Sequence, residues 1–171
     1  MNEHHRVRTA WERTIRGGWW YLPLIGWGFP QLVPLLDKRH HVRVPPPIRA
    51  LGVALALLGG ALTGWSIRTL IRDGNGTPAP HDPPQTFVCS GPYAHCRNPM
   101  ELGNIVTLIG WSIVQGSPRR AVGALLFAIS IHAWIVLIEE PYLQRHFDPD
   151  YTRYRSRVPR WGWRHGEAEI P

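Results

Sequence analysis

Residues 102–140 read LGNIVTLIGWSIVQGSPRRAVGALLFAISIHAWIVLIEE. Positions 102–118 hold 17 residues without Asp, Glu, Lys or Arg, and positions 121–138 hold 18. Only Arg119 and Arg120 stand between them, and Glu139-Glu140 closes the second run. A helix needs about 20 mainly apolar residues to cross the hydrocarbon core, and about 17 already falls within the working range. The stretch therefore reads as two membrane-spanning helices in a tight antiparallel hairpin, joined by the two arginines.

Two more charge-free runs lie upstream, 20 residues at 17–36 and 18 at 50–67. A soluble bundle of buried helices is the competing reading, but four such runs are hard to place in so small a soluble domain. The run at 50–67, ALGVALALLGGALTGWSI, repeats a small residue every four positions at Ala56, Gly60 and Gly64. That spacing predicts the face against which a neighbouring helix packs closely. The run at 17–36 carries Pro23, Pro30 and Pro34, so it is expected to be kinked, broken or partly re-entrant. The expected fold is an all-α integral membrane protein with about four transmembrane helices. An N-terminal segment, 1–44, holds the irregular first span, and a membrane-embedded core covers 45–171.

The rest of the composition agrees. A chain of 171 residues makes one unit. Its mean hydropathy is slightly negative because the charges are segregated between the runs rather than spread through them. Nine tryptophans suit membrane interfaces. Two cysteines and no secretory h-region argue against a disulfide scaffold or an exported soluble protein. If all four runs span, 13 basic residues fall on the side of the N-terminus, the loop before residue 102 and the tail, against 6 on the other. The positive-inside rule makes that side cytoplasmic, in a bacterial-type inner membrane. Lys38, Arg39 and Arg43 run against this trend. Residues 72–85, RDGNGTPAPHDPPQ, form a Pro/Gly-rich connector.

Chemistry concentrates at one end of the hairpin. His132 and Glu139 are seven apart, which places them on one face of a regular helix. Two acids at a helix C-terminus oppose the macrodipole, so Glu139-Glu140 reads as a site that needs negative charge. The complementary charge is Arg97, in GPYAHCRNPMELG at 91–103, where Pro92 and Pro99 stiffen the loop and Tyr93 is close by. One cation and two anions at a cytoplasmic mouth suit a small zwitterion. Cys89 and Cys96 with His81 and His95 match no metal-binding spacing. Gly74 and Gly76 form no GxGxxG. The basic, aromatic tail reads as a membrane-surface segment rather than a nucleic-acid site. The expected partners are thus the lipid bilayer and a lipophilic or small-molecule acceptor, without metal or nucleic acid.

The order of these features, from GTPAPHDPPQTFVCSGPYAHCRNPMELG through the hairpin to HAWIVLIEEPYLQRHFDPDYTRYRSRVPRW, resembles the isoprenylcysteine carboxyl methyltransferase family, a relative of the phospholipid N-methyltransferases. The resemblance implies a membrane enzyme that uses S-adenosylmethionine without a Rossmann domain. It implies a cofactor enclosed at the cytoplasmic side by the loop, the Glu139-Glu140 end and the tail. Carried over by position, Arg97, Glu139 and Glu140 match the charged site residues. Tyr93, Asn98, Pro99, Gly103 and His132 match their surroundings, and Phe147, Tyr151, Tyr154 and the run from Val158 to Trp161 match the closing tail. In chemical terms Arg97 holds the cofactor's carboxylate and Glu139 or Glu140 its ammonium. Two positions depart from the pattern: Glu101 stands where members usually carry an aromatic, and Asp148 where they usually carry Gly. Glu101 bears on the acceptor. A steroid-reductase-like enzyme using NADPH and a non-catalytic scaffold are the alternatives.

Overall fold

The computed structural model describes residues 42–75 and 84–164. The run at 17–36, and with it the first span, lies outside the described residues. Within them the chain is helical and has no strand. Helix α1 is Pro46–Gly74, α2 is Pro99–Val114, α3 is Pro118–Phe147 and α4 is Asp150–Arg157. A short 3-10 turn, Gly91–Ala94, precedes α2.

Helices α1 and α3 are long and apolar enough to cross a membrane; α2 is a shorter apolar helix. The 29 residues of α1 extend roughly 43 Å, more than the hydrocarbon thickness of about 30 Å. Only 17% of the most apolar window of α1 and 28% of that of α3 is buried within the described residues. A core helix of a soluble protein would bury most of that surface. Here Leu57, Leu58, Leu125, Ile129 and Leu137 point outward, while Ser66, Thr69, Asn98, Ser112 and Glu140 are buried. Such an inside-out distribution suits a lipid solvent.

Helices α1 and α2 run antiparallel along a seam of glycines. A Cβ on Gly52 would lie 2.9 Å from the Gly110 carbonyl oxygen, and one on Gly59 would lie 2.6 Å from the Gly103 carbonyl oxygen. The seam therefore differs from the expected stripe. Ala56 borders it, but Gly60 and Gly64 face open space among the described residues. A seven-residue repeat of Gly52 and Gly59 meets its counterpart, Gly103 and Gly110, and small residues at those four points let two backbones approach.

The hairpin turn also differs from its expected form. Arg119 and Arg120 do not link the helices; they occupy the first turn of α3. The reversal is made by Gly116, whose φ of +59° is left-handed. Ser117 then caps α3, accepting from the Arg120 N–H at 3.4 Å, and Pro118 starts the helix.

Helix α3 does not end at Glu139-Glu140 but continues to Phe147, so the macrodipole argument for these acids does not apply. Between Pro118–Trp134 and Glu140–Phe147 lies a π-helical turn, Ile135–Glu139, in which the Glu140 N–H reaches the Ile135 carbonyl. Pro141 explains it: a proline has no N–H for the carbonyl four residues back, and its ring crowds that carbonyl. One extra residue in the turn relieves the conflict and shifts every later side chain around the axis.

Candidate functional site

The loop before α2, the end of α3 and the tail after α4 meet at one end of the bundle. Two contacts tie the tail to the loop in opposite directions. The Arg97 N–H donates to the Pro159 carbonyl at 2.9 Å, and the Arg164 N–H donates to the His95 carbonyl at 3.0 Å. His95 and Trp163 stack with ring centroids 4.7 Å apart, and Trp163 lies 6.4 Å from Trp65 of α1. The Arg160 carbonyl accepts from the Asn98 amide at 3.1 Å and from the Cys96 thiol at 3.5 Å. Burial raises the Cys96 thiol above its ordinary pKa, so it serves as a donor.

Helix α4 is held from below. Tyr151, Tyr154 and Val158 are buried against Phe87, Cys89, Leu143 and Phe147. The Tyr154 hydroxyl donates to the Tyr93 carbonyl at 2.7 Å, pinning α4 to the 3-10 turn. Its phenol titrates far above the usual tyrosine range, chiefly through burial. Tyr93 is likewise raised, by burial first and then by the neighbouring Glu139 and Glu101 carboxylates. Tyr151 is raised by burial and by Glu140, with a hydrogen bond from Arg97 in the opposite sense.

The charged centre lies between these supports. Arg97 Nη1 meets Glu140 Oε1 at 2.9 Å. Arg160 takes both oxygens of the same carboxylate, Nε to Oε1 at 2.6 Å and Nη2 to Oε2 at 2.9 Å. Arg97 and Glu140 expose only 11% of their side chains, so this ion pair is well shielded from water. Arg97 Nε is buried and has no partner among the described residues. Glu139, one residue away, is partly buried and makes no hydrogen bond or ion pair among them.

The sequence-derived residues are therefore largely gathered, with two changes. Glu140 rather than Glu139 shares a face with His132, because the π-turn inserts a residue between them. Consecutive tail residues show it: Arg160 binds Glu140, and Trp161 Nε1 donates to His132 Nδ1 at 2.9 Å. Gly103 lies in the α1–α2 seam under Gly59 and Thr63, where its small size serves helix packing. Asn98 supports the tail, and Glu101 accepts from Asn104 at 3.2 Å, which in turn accepts from Thr63 at 3.2 Å. Sequence reasoning gave Arg160 no charge role. A count of one loop arginine against two adjacent acids was the available signal for a second cation.

A helical membrane bundle whose loop, π-turned helix and tail converge on a charged mouth belongs to a known class. The profile of the phospholipid methyltransferase family (PEMT) matches residues 47–150, more than half of the sequence. The chain belongs to this family, which includes isoprenylcysteine carboxyl methyltransferase-like proteins. It is 31% identical over 62 residues to an uncharacterized protein of Haemophilus influenzae, covering 36% of this chain and 98% of that one. It is 33% identical over 75 residues to the cobalt-zinc-cadmium resistance protein CzcN of Cupriavidus metallidurans. It is 32% identical over 74 residues to the nickel-cobalt-cadmium resistance protein NccN of Alcaligenes xylosoxydans. Each of these two matches covers 43% of this chain and about a third, 34%, of the resistance protein. No solved structure matches. Family membership supports a methyltransferase and does not favour the reductase alternative.

Proposed function

We propose that the protein transfers a methyl group from S-adenosylmethionine to a lipid-like acceptor at the cytoplasmic face of the membrane, in the manner of isoprenylcysteine carboxyl methyltransferases. The observation that carries this reading is Arg97, positioned by Glu140 yet retaining a buried Nε without a partner among the described residues. A buried donor of this kind calls for an acceptor, and a guanidinium suits a carboxylate. Glu139 supplies the opposite requirement, a carboxylate with no hydrogen bond or ion pair among the described residues. The residues present thus fit the two charges of an amino-acid-bearing cofactor.

Bound there, S-adenosylmethionine supplies an electrophilic methyl on its sulfonium. Arg97 holds the carboxylate and Glu139 the ammonium. Tyr93, Asn98, Tyr151 and Tyr154 keep the loop and tail closed around them, and His132 receives the tail through Trp161. Methyl transfer is an in-line displacement, so fixed positioning accounts for much of the acceleration. The lipid-exposed faces of α1 and α3 suit an acceptor that arrives through the bilayer. Incorporation of labelled methyl from S-adenosylmethionine into a membrane extract tests the reaction and identifies the acceptor. S-adenosylhomocysteine should stabilise the detergent-solubilised protein to heat and NADPH should not; the reverse would overturn the reading.

The same proposal includes four crossings with the tail and the residue 91–99 loop inside. Contacts between loop and tail support a shared side. Cys96 is fully buried, so a Ser156→Cys variant on the exposed face of α4 is the better probe. An impermeant maleimide should label it only after the cells are opened. Rapid labelling in intact cells would reverse the topology.

A further inference from the structure

We propose that Arg160 is a positioning residue of the methyl-transfer site: it straps Glu140 and so divides the labour of the two adjacent acids, leaving Glu139 rather than Glu140 to face the ligand's cation. This inference rests on the cofactor reading above. It concerns a residue beyond the part of the chain that the family profile covers, 47–150.

The geometry is specific. Arg160 presents its Nε–Nη2 edge to Glu140 as a two-point fork, at 2.6 and 2.9 Å. Arg97 adds a third charge-assisted bond to Oε1 at 2.9 Å. With both oxygens engaged by two guanidiniums, the Glu140 carboxylate is already neutralised and has little left to offer an ammonium. Glu139 has no such partner among the described residues. The neighbours of Arg160 are fixed as well, through Pro159 to the Arg97 N–H and through Trp161 to His132. The strap therefore transmits position: tail to Glu140, Glu140 to Arg97 Nη1, and the unpartnered Arg97 Nε to the ligand. The π-turn makes this possible, because it carries Glu140 round to the tail.

Lysine at 160 keeps the charge but loses the fork. In the full-length protein, Arg160→Lys should weaken S-adenosylhomocysteine roughly tenfold, as expected for loss of one charge-assisted contact. It should raise KM for S-adenosylmethionine while leaving kcat nearly unchanged, whereas a purely structural defect would lower both activity and ligand-free thermal stability. The pairing is the sharper readout. Arg160→Lys with Glu140→Gln should be no worse than the poorer single variant, because both remove one interaction. Arg160→Lys with Glu139→Gln should be additive. The opposite pattern, or unchanged affinity in Arg160→Lys, overturns the proposal. Hydrogen exchange of residues 158–164 without ligand reads the strap itself and should accelerate in both Arg160→Lys and Glu140→Gln. If the parent binds no S-adenosylhomocysteine, the cofactor reading fails while exchange still reports the strap. If exchange is unchanged in both variants, the strap fails whatever the ligand.

Discussion

The α1–α2 seam and the charged mouth are held together by opposite means. Along the seam, Gly52, Gly59, Gly103 and Gly110 let two helices meet backbone to backbone, and what matters is the absence of side chains. At the mouth, three segments far apart in sequence meet through Arg97, Glu140 and Arg160, and what matters is where charged groups are paired. Lipid tails are as apolar as leucine, so close packing rather than hydrophobicity must join helices in the bilayer. Near the surface, partial exclusion of water strengthens ion pairs that would count for little if fully exposed. A change of volume should therefore damage the first region and a change of charge geometry the second.

The largest effect is expected at the seam. A Cβ on Gly59 would fall 2.6 Å from the Thr107 N and from the Gly103 carbonyl oxygen, and neither backbone atom can move aside cheaply. Gly59→Leu should cost about 3 kcal/mol or more and lower Tm and monodisperse yield. At Gly60, one residue on, an added Cβ meets nothing within 4 Å among the described residues, so Gly60→Leu should leave Tm almost unchanged. Equal losses from the two variants would break the seam assignment.

At the mouth, Arg97→Lys keeps the charge and loses the planar donors. Affinity for S-adenosylhomocysteine should fall by about 1.5–3 kcal/mol, roughly ten- to a hundredfold, by calorimetry. Undiminished affinity would make Arg97 structural. Glu139→Gln should weaken the same ligand by about 1–3 kcal/mol while ligand-free Tm is unchanged or slightly higher, since repulsion from the nearby carboxylates, Glu101 first and then Glu140, is relieved. A lower ligand-free Tm with an intact ligand-induced gain would remove Glu139 from the site. The smallest effect is expected for Tyr154→Phe, which loses only the bond to the Tyr93 carbonyl. It should cost about 1 kcal/mol in thermal stability and less in affinity than either charge variant. An affinity loss matching that of Arg97→Lys would mean that the hydroxyl serves the ligand rather than the fold.

The linear order of residues determined a good deal. Segregated charge marked the apolar helices because length and the lack of charge suffice for that decision. The spacing of Arg97, Glu139 and Glu140 about a hairpin placed a charged site at one end, since two antiparallel helices must bring those ends together. Tertiary structure decided which surfaces meet. Ala56, Gly60 and Gly64 and the Gly52–Gly59 pair are equally legible as small-residue stripes; only contact with Gly103 and Gly110 selects between them. Helical periodicity aligned His132 with Glu139, but periodicity assumes an unbroken helix, and the π-turn before Pro141 gave that place to Glu140. Arg160 lies 20 residues from Glu140 in a tail with several other arginines, so no local spacing distinguishes it. Its role depends on the fold of α4 and the loop–tail contacts, which are set by packing between segments rather than by the pattern within any one of them.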